Sequence, residues 1–155
     1  MKYRLHMWPF ILMAMFASCS PVESEHQSKS ATKEYEIPIE KQIDLSDCLF
    51  QNETHYLVFF HSEKCGHCQQ IIGDVLSFSE ENIVKTYFLD IGKSINKMTY
   101  YPEQEITTNV SQIEELKIAG TPTLIDVKDG VVKDNIPGKE SILTYLNKLR
   151  LDHKM

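Results

Sequence analysis

The 155-residue sequence has little of several features that mark particular protein classes. Its four cysteines are too few for the disulfide framework that small secreted scaffolds use in place of a large core. With 16 basic and 22 acidic side chains it has a formal charge of −6, and it lacks the basic excess that binds phosphate groups. Its length fits one domain with a tail, since a single core usually takes about 100–200 residues. These features argue against nucleic-acid binding and against a multidomain enzyme.

The apolar stretch at the N-terminus is too short to predict a membrane-spanning helix. Residues 5–17 are mostly apolar, follow the basic residues Lys2 and Arg4, and end in small residues before Cys19. A spanning helix needs about 20 apolar residues, whereas a basic start, a short apolar middle and a small-residue end are typical of an export signal. Residues 1–18 are therefore predicted to be a signal peptide.

The end of this stretch, Phe16-Ala17-Ser18-Cys19, resembles a bacterial lipobox, although leucine is usual where Phe16 stands. The resemblance implies that Cys19 carries lipid and anchors the mature protein on the outer side of the cell membrane. Secretion with a free Cys19 is the alternative. Residues 20–36 hold four Ser and four Glu with few apolar side chains, so residues 19–36 are predicted to form a flexible tether. This leaves 37–155 as the folded domain.

From Ile37 onward, the hydrophobic pattern alternates between the periods of strands and helices. Continuous or alternating apolar runs predict strands at 56–60, 84–91, 123–127 and 131–136, the last two joined by the hairpin signal Asp129-Gly130. Helical spacing predicts helices after Cys68, from Ser111 to near Gly120, and over 139–151. This order predicts an α/β fold with a mixed sheet covered on both faces.

Two segments of the domain show weaker patterns. Residues 37–51 are expected to contain one further strand and one further helix. Residues 92–110 are polar and longer than the usual connection of about 2–6 residues. A surface loop is the simpler interpretation of 92–110, and a partner-facing excursion is the alternative.

The chemistry is predicted to lie in Cys65-Gly66-His67-Cys68, where a buried strand gives way to a helix. A zinc site would need two more soft ligands at a matching spacing, and haem attachment would need histidine after the second cysteine, where Gln69 stands. A redox pair fits better, because unpaired N–H groups at a helix N-terminus stabilise a thiolate.

The cysteines are predicted to have different roles. Cys65 lies at the predicted helix start, and Lys64 and His67 add donors or positive charge that favour its thiolate. Cys68 falls in line with the buried stripe of the helix and should be shielded. Cys65 is therefore predicted to attack and Cys68 to resolve. Cys48 has apolar neighbours, which favours a core position, with a regulatory or intermolecular thiol as the alternative.

Residues from about Tyr56 to Leu149 resemble the thioredoxin superfamily. The resemblance rests on the strand before Cys65–Cys68, on Gly120-Thr121-Pro122-Thr123 and on the Asp129-Gly130 hairpin, in the expected order. It implies a thioredoxin-like fold, with a central mixed sheet flanked by helices on both faces. It also implies a cis Thr121–Pro122 bond that faces the redox pair, beside backbone that pairs with an extended substrate. The Cys-Gly-His-Cys motif is similar to the active site of protein disulfide isomerases.

Three positions depart from the family pattern. Phe59 stands where the family often carries a buried acid that accepts the proton of the resolving thiol. Lys64 replaces the aromatic residue that commonly precedes the first cysteine, and His61 stands where tryptophan is frequent. Without the acid, the group that accepts the proton of the resolving thiol is not identified by the sequence. Because of all three departures, the redox potential cannot be inferred from that of a relative.

The sequence thus predicts an extracytoplasmic thiol–disulfide oxidoreductase that acts on cysteine-containing proteins. The motif requires neither a metal nor an organic cofactor, whereas turnover requires a redox partner, expected to be a membrane protein. The surroundings of Cys65 favour an oxidase or isomerase over a reductase. The alternative is a non-catalytic thioredoxin-like lipoprotein that binds copper through Cys65, Cys68 and a histidine such as His61, or that assists secretion. A monomer is the default expectation.

Overall fold

The computed structural model describes residues 35–155, in which four strands form one mixed sheet and two α-helices pack on one of its faces. The elements in chain order are β1 (His55–His61), α1 (Gly66–Glu80), β2 (Lys85–Asp90), β3 (Thr123–Lys128), β4 (Val131–Pro137) and α2 (Lys139–His153). The strand order is β2-β1-β3-β4, with β1 and β2 parallel and the other neighbours antiparallel. The predicted signal peptide 1–18, Cys19 and the tether up to residue 34 lie outside the described residues. The tether was predicted to reach residue 36, but Tyr35 already packs against the hydrophobic cluster on the helical face.

The central strand β1 separates two hydrophobic clusters. Successive side chains of a strand point to opposite faces of a sheet. Leu57 and Phe59 therefore pack among the apolar side chains of α1 and α2, and Val58 and Phe60 pack into the cluster on the other face. All four are fully buried, as the continuous apolar run predicted. The mixed sheet and its helices confirm the predicted thioredoxin-like α/β fold, except that both α-helices pack on one face where helices on both faces were predicted.

The second face is covered by short 3₁₀ turns and extended segments within the described part of the chain. The predicted strand and helix in 37–51 are replaced by the turns Ile39–Lys41 and Leu45–Asp47 and an isolated bridge between Gln42 and Phe88. The predicted helix from Ser111 to Gly120 is also wrong, since only Ile113–Glu115 form a 3₁₀ turn there.

Tertiary hydrogen bonds explain why no α-helix forms after Ser111. The Thr107 hydroxyl donates to the Glu115 carbonyl (2.8 Å) and accepts from the Lys117 N–H (2.9 Å). The Ile118 carbonyl accepts a hydrogen bond from the Tyr101 N–H at 3.0 Å. These backbone groups pair with the 92–110 segment, so they are not available for a helical ladder.

The hairpin between β3 and β4 follows from the Asp129-Gly130 pair. Both residues have positive φ, 51° and 71°. The two-residue turn whose twist matches that of the flanking strands requires positive φ at both positions, which aspartate tolerates and glycine adopts without strain. The turn directs β4 back along β3 and brings Gly138 beside Pro122, where its N–H donates to the Pro122 carbonyl at 2.9 Å.

Candidate active site

A tight turn after β1 places Cys65 at the N-terminus of α1. The Cys65 N–H donates to the Ser62 carbonyl at 3.0 Å, and Cys65 itself is the N-cap of the helix with extended backbone angles. Its Sγ accepts a hydrogen bond from the Cys68 N–H at 3.1 Å. The sulfur thus occupies the position of a capping side-chain oxygen and lies at the positive end of the helix dipole.

Cys65 and Cys68 form a disulfide bond in the structure. The two residues differ in exposure, because Cys68 is fully buried on the core side of α1, whereas Cys65 is partly exposed. Of the two residues, only Cys65 presents surface to solvent. This asymmetry is the one on which the predicted roles of the two cysteines depend.

The Thr121–Pro122 segment lies directly against the redox pair. The Cys65 Sγ is 3.4 Å from the Thr121 carbonyl oxygen, and the Thr121–Pro122 peptide bond is cis. The Gly120 carbonyl accepts a hydrogen bond from the Thr123 hydroxyl (2.7 Å), and the Pro122 carbonyl accepts one from the Gly138 N–H. These bonds fix the backbone on both sides of Thr121 against the sulfur.

The other motif residues are on the surface. The side chains of Lys64 and His67 are exposed beside Cys65. Gly66 is also exposed, and a Cβ built on it meets no atom within 4 Å. The Gly66 position is therefore sterically open.

An open groove of about 270 Å³ is lined by His67 of the motif and by the Thr121–Pro122 segment, which contacts Cys65, and we call it the active-site groove. Its lining residues are His67, Glu103, residues 119–122 and residues 137–140. His67, Thr121 and Pro122 were predicted from the sequence as site residues, whereas Glu103 and Lys139 were not. The excess length of the 92–110 segment was a signal for Glu103, and nothing in the sequence indicated Lys139.

His61 is buried at the end of β1, with 6% of its surface exposed. Its ring stacks on Phe59, with centroids 5.8 Å apart, and meets the Phe88 ring edge to face. Burial lowers the pKa of His61 below 6.5, Asp90 opposes this shift, and Lys93 adds to it. The ring therefore stays neutral at pH 7.

Phe59 occupies the position where the family often carries a buried acid. It is fully buried and packs edge to face with Phe88.

Among the described residues, no three His, Cys, Asp or Glu side chains are grouped so as to hold a metal ion. The described residues therefore give no support to the copper-binding alternative through Cys65, Cys68 and His61.

Cys48 is a free, fully buried cysteine in the cluster on the second face, as its apolar neighbours predicted. Desolvation raises the pKa of its thiol well above the ordinary value. Because the thiolate is the reactive form, this thiol is inert at neutral pH.

In the part of the chain that the structure describes, no helix has the length and hydrophobicity needed to cross a membrane.

Comparison with known proteins supports the fold. A family model described as "Thioredoxin-like domain" matches residues 42–150. The short form of thioredoxin f from spinach chloroplast is similar in structure, with 17% sequence identity, a TM-score of 0.51, and coverage of 71% of this chain and 92% of that chain. A chain in a complex of ferredoxin:thioredoxin reductase and thioredoxin f2 shares 19% identity, with a TM-score of 0.51 and coverage of 71% and 94%. No curated protein sequence matches significantly.

Proposed function

The chain belongs to the thioredoxin superfamily, and from this premise we propose that it catalyses thiol–disulfide exchange with cysteine-containing proteins. One observation carries the proposal. The partly exposed Cys65 caps the N-terminus of α1 through its sulfur and is disulfide-bonded to the fully buried Cys68. Such a pair combines a reactive sulfur with a protected one that can close the cycle.

In the oxidising direction, a substrate thiolate attacks the Cys65 sulfur. The Cys65–Cys68 bond breaks, Cys68 leaves as a thiolate, and a mixed disulfide joins Cys65 to the substrate. A second substrate thiolate then attacks the substrate sulfur and releases Cys65. The substrate loses two electrons and two protons, and the protein gains both as two thiols. The released Cys65 thiolate is stabilised by the Cys68 N–H and by the helix N-terminus.

The backbone at Thr121 is proposed to align the substrate. Its carbonyl lies 3.4 Å from the Cys65 Sγ, so an extended segment that pairs with this backbone would place its own cysteine at the reactive sulfur. Gly66, His67 and Lys64 are exposed and lie next to Cys65 in the sequence, and they are proposed to tune its reactivity.

The position of Cys65 supports an oxidase or isomerase over a reductase, because groups that stabilise its thiolate stabilise the reduced protein. The test is the reduction potential of the Cys65–Cys68 pair in the full chain, equilibrated against glutathione and dithiothreitol buffers. We expect a value of about −120 to −180 mV, in the range of oxidases and isomerases, whereas about −270 mV would indicate a reductant. Absence of reversible two-electron exchange would contradict the enzymatic function and favour a non-catalytic accessory protein.

The site of action is proposed from the N-terminal sequence. The basic start, the short apolar stretch and Phe16-Ala17-Ser18-Cys19 support export followed by lipidation of Cys19. A membrane protein would then exchange electrons with the Cys65–Cys68 pair. The test is the mass of the mature protein from a bacterial host. Cleavage before Cys19 with added lipid is expected, and Cys19→Ser should abolish both. A mature chain without lipid would instead indicate plain secretion.

A further inference from the structure

The segment from Tyr100 to Thr107 is paired with Lys117 and Ile118, which lie shortly before the Thr121–Pro122 segment. Tyr100 forms a parallel bridge with Ile118, and the Tyr101 N–H donates to the Ile118 carbonyl at 3.0 Å. The Lys117 ammonium lies 4.9 Å from the centre of the Tyr101 ring. The Asn135 amide donates to the carbonyls of both Thr107 (3.1 Å) and Lys117 (2.9 Å).

This anchoring gives one residue of the segment a defined place in the active-site groove. The turn Glu103–Glu105 follows directly after the bridge, and Glu103 lines the groove together with His67 and the Thr121–Pro122 segment. Glu103 is the one residue of this anchored segment that lines the groove. The interpretation of 92–110 as a surface loop alone does not account for this position.

The active-site groove is lined by more acidic than basic side chains. Lys139 on the opposite wall donates to the Gln70 side chain at 2.6 Å and lies 3.5 Å from the Glu140 carboxylate. Among the described residues, no side chain forms a hydrogen bond or ion pair with the Glu103 carboxylate. Apart from the imidazole of His67, the groove thus holds one partnered ammonium group and two carboxylates.

We propose that Glu103 is a specificity-determining residue, which selects substrate segments with a lysine or arginine close to the reacting cysteine. A peptide aligned along Thr121 with its cysteine at Cys65 would pass through this groove, and its basic side chain would meet the free carboxylate. An acidic side chain there would meet Glu103 and Glu140 and be disfavoured. This inference rests on the proposed function, because it assumes that the groove receives a cysteine-containing segment.

The test uses the full chain in its reduced form and two peptide homodisulfides that differ only in lysine or glutamate beside the cysteine. Each reaction transfers two electrons from the Cys65 and Cys68 thiols to the peptide disulfide, which becomes two thiols while the protein becomes oxidised. Second-order rate constants are measured by acid quench and alkylation. The test variant is Glu103→Gln, and Glu105→Gln is the matched control. The carboxylate of Glu105 lies 4.0 Å from the Lys117 ammonium and does not line the groove.

For the wild type, we expect the lysine peptide to react faster than the glutamate peptide, with a difference that decreases as salt is added. Glu103→Gln should reduce the ratio of the two rate constants by about 2- to 5-fold, the range expected of an exposed ion pair. Glu105→Gln should leave the ratio unchanged. The two peptides are the same for every variant, so the effect of the flanking residue on the peptide's own reactivity cancels when the ratios of the wild type and a variant are compared.

The outcomes separate this inference from the proposed function. If the wild type exchanges with both peptides but Glu103→Gln leaves the ratio unchanged, the role of Glu103 is refuted and the proposed function stands. An equal change in Glu105→Gln also refutes it, since the effect would then come from net charge. If the wild type exchanges with neither peptide at any salt concentration, both proposals fail. The Cys65–Cys68 reduction potential of each variant verifies that the redox pair itself is unchanged.

Discussion

The backbone N–H of Cys68 donates a 3.1 Å hydrogen bond to the Sγ of Cys65, so the buried cysteine supports the accessible one through its main chain. This bond does not depend on the Cys68 side chain. The two contributions of Cys68, stabilising the Cys65 thiolate and resolving the mixed disulfide, can therefore be separated by substitution.

Cys68→Ser is expected to accumulate a mixed disulfide between Cys65 and substrate. The substitution keeps the N–H that faces the Cys65 sulfur and removes the thiol that would resolve the intermediate. Cys65→Ser should reduce exchange to the uncatalysed rate, because the remaining thiol is fully buried. The measurement is mass spectrometry after acid quench. Cys48→Ala is the control and should behave like the wild type, and trapping of substrate on Cys68 instead would reverse the assigned roles.

His61 should make the stability of the protein depend on pH. Its pKa is lowered in the folded state by burial, so the unfolded chain binds a proton more readily than the folded one below pH 6.5. Stability is therefore fully present above pH 6.5 and is lost as the pH falls through the region below it. The measurement is urea unfolding across this range, and the slope with pH should be smaller in His61→Phe. His153→Phe, at the exposed end of α2, is the control. An unchanged slope in His61→Phe would contradict the prediction.

The sheet and its helical face could be predicted because their hydrophobic signals are local and strong. Each residue from Tyr56 to Phe60 is fully buried, and the apolar stripe of α1 reaches from Cys68 to Leu76. Strand period and helical period are both visible in such runs without knowledge of the neighbours. The redox pair was predictable for the same reason, since Cys65 and Cys68 share one helical turn.

The second face could not be predicted, because its structure depends on partners that are distant in the sequence. Ser111 and Glu114 have the spacing of a capping box, but pairing with Thr107 and Tyr101 takes the backbone groups of the following residues. The same limit applies to the active-site groove. Glu103 and Lys139 come from separate parts of the chain, and only the fold brings them to the same groove.

Tyr145→Phe is expected to lower the free energy of unfolding by about 1.5–3 kcal/mol, the range for a hydrogen bond to a charged group. The Tyr145 hydroxyl donates to the fully buried Asp126 carboxylate at 2.6 Å, and burial and this bond raise the pKa of the hydroxyl, which stays protonated. The substitution leaves the carboxylate in the core with His55 as its nearest partner, at 3.1 Å. Urea unfolding gives the measurement.

Tyr100→Phe is the matched control for this change, because it removes a hydroxyl from a side chain that is half exposed. We expect an effect within about 0.5 kcal/mol, as for most surface substitutions. An equal loss in the two variants would mean that the Asp126–Tyr145 bond has no particular weight in the core.

Asn135→Ala should release the wall of the active-site groove that carries Glu103. Asn135 is 8% exposed, and its amide group bridges the carbonyls of Thr107 and Lys117, which lie on the two paired segments. Without the bridge, both carbonyls lose a buried donor, at a cost of about 1–3 kcal/mol. Hydrogen exchange of the Thr107 and Tyr101 amides should accelerate relative to those of β1, whereas Asn52→Ala, at an exposed position, should leave exchange unchanged. Because Glu103 lies between the two paired ends, the preference for the lysine peptide should weaken in Asn135→Ala as well. A loss of stability that left both the local exchange and the peptide preference intact would show that Asn135 supports the core and not the groove.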